Sequence, residues 1–329
     1  MKIFIPFDLK DIGGTSSFVK KFKKGAEARG HEVFLDPVSD YDVLLIISRC
    51  SLKYLLDAKR RGKKIIHRLD GVYYWSVAGW KYFFYNFKPM LIHRIFADFT
   101  VYQSRYSRYC VEKFMGKRKD FKIIYNGIDL RHFFPEGKKM SGLWDNSSQK
   151  MFFTASRFRR YDQILPLLAA VKKYGEKYDS NYKFLIAGSF SGQVAGVPEK
   201  FSGPKTVFLG KVKNEDLPKY ERASDVFLFS HLNPPCPNNI VEATACGLPI
   251  CGVADGAMPE MILENENGLL VGTEGDAFWS ERKIDSGRFA DNMDRILKNR
   301  SAFARKSREI AENRFSIETM LDKYLEEMQ

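Results

Sequence analysis

The stretch Pro234-Pro235-Cys236-Pro237-Asn238-Asn239-Ile240-Val241-Glu242-Ala243-Thr244-Ala245-Cys246-Gly247-Leu248-Pro249-Ile250 decides the reading of this chain. Prolines and asparagines make a loop. Asn239–Cys246 then reads as a short helix carrying one carboxylate, and Gly-Leu-Pro turns the chain into a buried strand from Pro249 to Val253. The start of a helix offers N–H groups without intrahelical partners and attracts anions. A carboxylate one turn further in, here Glu242, is placed to accept hydrogen bonds from vicinal hydroxyls. Phosphate plus ribose is what a nucleotide presents.

Outward from this stretch, apolar runs alternate with helical patterns from end to end. In the first half strands are expected at Lys2–Phe7, Glu32–Leu35, Val43–Ile47, Lys63–His67, Phe99–Gln103 and Phe121–Tyr125, and helices at Thr15–Arg29, Leu52–Arg61, Val77–Ala97 and Arg105–Phe114. In the second half strands are expected at Lys150–Ala155, Tyr182–Ala187, Val207–Leu209, Val226–Phe229, Pro249–Val253 and Gly268–Val271. Continuous apolar strands separated by helices imply parallel sheets buried on both faces. Two such sets imply an α/β chain of two doubly wound, Rossmann-like domains facing each other across a cleft. Polar, breaker-rich sequence at 136–149 places the boundary, giving domains 1–145 and 146–316.

Charge divides along the same line. Residues 1–145 carry 28 Lys+Arg against 15 Asp+Glu, whereas residues 146–329 balance at 25 against 25. A one-sided basic field attracts anionic lipid, nucleic acid or a polyanionic substrate, or serves only solubility. Cys50, Cys110, Cys236, Cys246 and Cys251 show neither metal spacing nor the density of a secreted disulfide scaffold, so a cytoplasmic protein with reduced thiols is expected. The run Ile3–Phe7 is too short for a signal peptide, and no apolar run is long enough to span a bilayer. The five histidines are scattered, so no metal is expected.

Other motifs sit at the carboxyl ends of the expected strands, where parallel sheets take ligands. Gly13 and Gly14, in Asp11-Ile12-Gly13-Gly14-Thr15, would let the backbone approach a phosphate, or form a plain tight turn. There is no G-x-G-x-x-G, which argues against a nicotinamide site. His67, where the fourth strand ends, and Asp70 just after it could contact a sugar hydroxyl, or could be structural. Asn126-Gly127 signals a turn with positive φ. Arg157, Arg159 and Arg160 could neutralise a diphosphate.

These motifs together, with Ala187-Gly188-Ser189, Leu209-Gly210-Lys211 and Asp255-Gly256-Ala257-Met258-Pro259-Glu260, resemble the retaining glycosyltransferases of family 4, across about residues 12–272. The resemblance implies a GT-B fold. The first domain would bind the acceptor and the second the nucleotide-sugar, with a last helix at about 317–329 packing back on the first. It implies donor contacts from Gly13, Gly14, Asn126, Arg157, Arg159, Gly188, Lys211, Asn238, Asn239, Ile240 and Glu242. His67 and Asp70 would stand at the reacting centre. No metal or other cofactor is implied. The family's Glu-x7-Glu pattern is half present: Glu242 matches the second Glu, and Pro234 stands where the first would be. Sugar contacts would then fall to Asn238, Asn239 and the amides of 238–240.

The expected reaction moves a hexosyl unit, with retention, from a nucleoside diphosphate sugar to a glycan or lipid-linked glycan acceptor. An epimerase or phosphorylase on the same fold is a second reading, and a non-catalytic nucleotide or nucleic-acid binder a third. Nucleic acid is not the expected partner. The basic aromatic run Val72–Lys88 reads either as core of the first domain or as a surface for anionic lipid on the inner face of a membrane.

Overall fold

The computed structural model describes residues 1–9, 13–274 and 282–329; Asp11 and Ile12 of the first glycine turn lie outside them. The apolar runs of the first half become β1 (Lys2–Phe4), β2 (Glu32–Phe34), β3 (Val43–Ile47), β4 (Lys64–Leu69), β5 (Phe99–Tyr102) and β6 (Phe121–Ile123). They form one parallel sheet in the order β2-β1-β3-β4-β5-β6. Its helices are α1 (Gly14–Glu27), α2 (Leu52–Arg60), α3 (Trp75–Ala78), α4 (Tyr82–Leu91) and α5 (Arg105–Met115).

The second half supplies β7 (Lys150–Phe158), β8 (Tyr182–Phe190), β9 (Thr206–Gly210), β10 (Val226–Phe229), β11 (Ile250–Val253) and β12 (Gly268–Val271). These are parallel in the order β12-β11-β10-β7-β8-β9. The helices α6 (Leu165–Lys177), α7 (Val197–Phe201), α8 (Leu217–Ala223), α9 (Asn238–Ala245), α10 (Met258–Met261), α11 (Ser286–Lys298), α12 (Arg300–Arg314) and α13 (Ile317–Glu326) accompany them. Every expected strand forms; β3, β10 and β12 keep the expected bounds, and the others shift at an end by up to three residues. In each sheet the strand order reverses beside the first strand, between β1 and β3 and between β7 and β10. That reversal opens a crevice at the carboxyl ends.

Both faces of both sheets are covered. On α1, Phe18, Val19, Phe22 and Ala26 recur at helical spacing and pack on Ile3, Val43, Ile66 and Val101. Burying one such phenyl ring stabilises by about 1.5–3 kcal/mol. Met320, Leu321, Tyr324 and Leu325 of α13 complete this same cluster, and Arg29 pairs with Glu318 at 2.7 Å and Asp322 at 2.9 Å. The last helix of the chain therefore lies on the first sheet's helix layer.

The chain crosses between the halves twice, side by side. Ile128 N donates to Phe315 O at 2.8 Å, and Ile317 N donates to Ile128 O at 3.0 Å. This contact, rather than a turn, explains Asn126-Gly127. Positive φ is found at neither residue. A Cβ on Gly127 would lie 2.7 Å from Ile317 Cα, so only glycine lets the two crossings touch.

The helix expected over Val77–Ala97 is broken. Gly79, with φ of +54°, ends α3, and a tight turn Gly79–Lys81 leads into α4, which a π turn at Ile92–Phe96 follows. Pro89 stands inside α4 and lacks the N–H that would bond the carbonyl of Tyr85. Arg49 Nη2 donates to that carbonyl at 2.8 Å instead. The aromatics of this segment are mostly exposed, which excludes the core reading for them. The five cysteines are buried and free. Among the described residues, no helix is long and apolar enough to cross a membrane.

Candidate functional site

The two helix starts α1 and α9 meet where the crevices of the two sheets face each other. Gly13, with φ of +147°, caps α1 and has nothing within 4 Å of where a side chain would begin. A Cβ on Gly14 would lie 3.6 Å from Asn238 Nδ2. α9 begins at Asn238 behind Pro237, whose side chain supplies no capping oxygen. Its first-turn amides depend on backbone, solvent or ligand. Ile240 N is already used, donating to Asn239 Oδ1 at 3.0 Å and Pro237 O at 3.2 Å. Ile240 N, one of the three amides expected to meet an anion, is thus engaged within the chain in this structure. Asn239 Nδ2 in turn donates to Ala155 O at 2.8 Å, which ties α9 to the strand β7.

The floor of the crevice is a polar network on Asn126. Its Nδ2 donates to Asn238 Oδ1 at 2.9 Å, Cys236 O at 2.9 Å and Gln103 Oε1 at 3.2 Å. Its Oδ1 accepts from Arg68 Nη2 at 3.0 Å. Arg68 is 1% exposed, lies 3.9 Å from the centre of the Phe18 ring and donates to Asp70. Asp70 also accepts from Gln103 and, at 3.1 Å, from Thr15 Oγ1 in the first turn of α1. Asp70 thus orients the glycine turn through Thr15.

His67 is placed elsewhere. The strand β4 runs two residues further than expected, to Leu69, so His67 lies inside it rather than at its end and is fully buried. Its Nε2 pairs with Ser48 O at 3.1 Å and its ring faces His93. Burial pushes its pKa down to about 3. A neutral ring closed inside a sheet does not touch a substrate, so His67 is structural here and is withdrawn from the reacting centre.

Glu242 sits one turn into α9, 6% exposed, and accepts from Asn214 Nδ2 at 3.2 Å. Burial raises its pKa, and the positive charge of Lys21 on α1 opposes the rise. Burial likewise lowers the pKa of Lys21, against the pull of Glu242 and Asp129. Lys21 Nζ also donates to Gly127 O at 3.3 Å. The carboxyl group of Glu242 therefore feels the charge of a lysine from the opposite half of the chain.

Arg157, Arg159 and Lys211 are exposed at the carboxyl ends of β7 and β9. Arg160 is engaged by Asp162 at 2.6 Å and 2.8 Å and is not available in the same way. Gly188 has φ of +135°, and a Cβ there would lie 1.7 Å from Ser156 O, so the close approach of β8 to β7 demands glycine. Among the described residues, no cluster of His, Cys, Asp and Glu is arranged to hold a metal.

Three participants escaped the sequence reading. Arg68 was passed over between His67 and Asp70, although a charge inside an apolar strand run is itself a signal. Lys21 lies among Lys20, Lys23 and Lys24 in the expected helix Thr15–Arg29, and nothing in the local pattern sets it apart. Glu260 was quoted inside a motif, but its carboxylate accepts from Arg105 N and Tyr106 N at 2.9 Å each and from Tyr125 Oη at 2.7 Å. It thereby caps α5 across the interface of the two halves.

Residues 149–299 match the family described as Glycosyl transferases group 1. N-acetyl-alpha-D-glucosaminyl L-malate synthase of Bacillus anthracis is 28% identical over 159 residues, 46% of this chain and 40% of that protein. An uncharacterized 41.2 kDa protein in the cps region of Klebsiella pneumoniae is 29% identical over 226 residues, 61% of this chain and 59% of that protein. The chain thus spans about half the length of these curated relatives. Among solved structures, Anabaena HepE in complex with UDP-glucose superimposes with a TM-score of 0.76 at 17% identity, covering 99% of this chain and 98% of that one. At that identity the likeness speaks for the fold.

Proposed function

We propose that the protein is a retaining glycosyltransferase of GT-B fold, a reading supported by the match of residues 149–299 to the glycosyl transferases group 1 family and by the likeness of the whole fold to HepE. It would move a hexosyl unit from a nucleoside diphosphate sugar to a hydroxyl of a glycan or lipid-linked glycan. The observation that carries the proposal is the meeting of two helix starts, open at Gly13 and uncapped at Asn238, above a buried carboxylate.

In this reading the diphosphate lies between the start of α1 and the start of α9. The amides of Asn238 and Asn239 and the guanidiniums of Arg157 and Arg159 would meet its charge as the sugar–phosphate bond breaks. Fixed donors aimed at developing negative charge are the largest single means of lowering such a barrier. Lys211, after β9, would add a further cation. Glu242 would exchange Asn214 for the ribose hydroxyls. With His67 closed in the sheet, the acceptor's proton would pass to the leaving diphosphate on the same face of the sugar, which gives retention. Asp70 would hold Thr15 and the glycine turn in place.

A thermal-shift panel of nucleoside diphosphates and their sugars, with UDP-glucose first, tests the donor. A ligand at 100-fold its Kd adds about 2.7 kcal/mol to stability. No shift with any member, together with no transfer to glycan acceptors, would overturn the proposal. Donor turnover without an acceptor would favour the epimerase.

A further inference from the structure

We propose that the exposed aromatic face of residues 73–95 docks the first half of the protein on an anionic lipid bilayer, with the mouth of the crevice against the surface. The proposal rests on the glycosyltransferase reading for its purpose, a lipid-linked acceptor, but not for its test.

In α4 the buried residues are Asn86 and Pro89. Asn86 clamps Tyr73, accepting from its N and donating to its O at 2.9 Å each. This stripe fixes the helix and turns its other faces outward. Trp80 is 63% exposed, Phe84 64% and Ile95 63%, and Phe83 and Phe87 are half exposed or more. The rings lean on one another, Trp80 on Phe84 at 5.6 Å and Phe83 on Phe84 at 5.9 Å, yet stay open to solvent. Contiguous apolar surface of this kind marks a contact face.

Charge decides what the face contacts. From Gly71 to Ala97 there is no Asp or Glu, while Lys81, Lys88 and Arg94 are present and exposed. A second copy of the chain would set these cations against their own images. Single-stranded nucleic acid also uses aromatics and cations, but it requires a cationic groove that tracks the backbone. Here the apolar groups, Val77 and Ile95 among them, outnumber the cations. Aromatics that enter the headgroup layer with lysines around them suit an anionic leaflet.

The face begins at the crevice. It follows Asp70 directly, and a Cβ on Gly71 would lie 3.7 Å from Pro235 Cβ in the loop before α9. A bilayer under α4 would therefore lie beside the site that is to receive the acceptor.

Co-sedimentation of the full chain with phosphatidylcholine vesicles, with and without phosphatidylglycerol, tests this. Binding is expected to the anionic vesicles and to weaken with salt, with a blue shift of tryptophan emission. Lys81→Glu with Lys88→Glu should reduce partitioning roughly fivefold for each positive charge lost. Trp80→Ser with Phe84→Ser should reduce it at least as much. These side chains are exposed, and an unchanged melting temperature would show that the fold is kept. Wild-type protein that ignores anionic vesicles, or vesicle binding unaffected by either pair, would overturn the proposal. So would a vesicle-free dimer that the Trp80/Phe84 pair dissolves, or tighter binding to a single-stranded oligonucleotide than to vesicles. Donor titration in parallel separates the two readings: donor binding without vesicle binding overturns the docking alone, and vesicle binding without donor binding overturns the transferase alone.

Discussion

Asn126 Nδ2 donates to Asn238 Oδ1 at 2.9 Å, joining the last loop of the first sheet to the first turn of α9. The same amide group accepts from Arg68 and donates to Cys236 O. Asn126→Ala would leave a guanidinium, a carbonyl and an amide oxygen without their partner in a buried site. Each unsatisfied buried group costs about 1–3 kcal/mol. The melting temperature should fall and donor affinity should fall with it. A variant with wild-type stability and affinity would show that the network does not hold the halves in register.

Arg157 and Arg159 make the opposite prediction, a loss of binding without a loss of fold. Both are exposed, so Arg157→Gln with Arg159→Gln should leave unfolding unchanged. Donor affinity should drop by about tenfold or more, since hydrogen bonds to charged groups contribute about 1.5–3 kcal/mol. The wild type should also lose affinity with added salt more steeply than the variant. Equal salt slopes, measured by calorimetry, would place the diphosphate elsewhere.

Gly188→Ala addresses the fold. It forces a side chain into a positive-φ position against Ser156 O. Backbone strain alone costs about 1–3 kcal/mol, and each kcal/mol lowers the Tm of a domain this size by about 2–4 °C. Soluble protein should become scarce, or melt several degrees lower. An unchanged Tm would contradict the close approach of β7 and β8.

Acid should destabilise the protein through its buried histidines. His67 titrates at about 3 and His231 at about 4 in the fold, against 6.5 for the free ring, in both cases because burial disfavours the charged form. The unfolded chain binds the proton first, so their stabilising contribution is complete above pH 6.5. It is lost as pH falls from 6.5 towards 4 and 3. Each proton changes the slope by about 1.4 kcal/mol per pH unit. His67→Gln should flatten the fall in urea midpoint between pH 6.5 and 4, and leave transfer by the folded enzyme unchanged. Glu221 runs the other way: burial lifts it to about 8, so its cost grows from pH 4.5 to 8, and Glu221→Gln should stabilise across that range. A slope unaltered by His67→Gln, or a selective loss of kcat, would contradict the buried assignment.

Much of this was legible in the sequence. Apolar runs bounded by breakers located all the strands, because a strand buried on both faces requires them. The Pro/Asn loop and Glu242 fell on the start and second turn of α9 as expected. What pattern did not reveal depended on where strands end and on what lies across the crevice. Two further residues of β4 closed His67 into the sheet. Gly127 read as a turn because the crossing of Ile317 beside it is a contact between residues far apart in sequence. The bonds of Glu260 at the start of α5 likewise join residues far apart in sequence, as does the charge of Lys21 felt by Glu242. The aromatics of α4 have helical spacing, which burial and exposure share, so only the packing of Asn86 and Pro89 settled which side faces out.

The most direct test of the account is a calorimetric titration of wild type and Glu242→Gln with the nucleoside diphosphate sugar that shifts the melting temperature most. Gln keeps the shape of the side chain and its contact with Asn214 but removes the charge that ribose hydroxyls would meet. Saturable binding to the wild type is expected, with affinity weaker by about tenfold or more in the variant. Equal affinity in the two proteins, or no binding to the wild type, would contradict it.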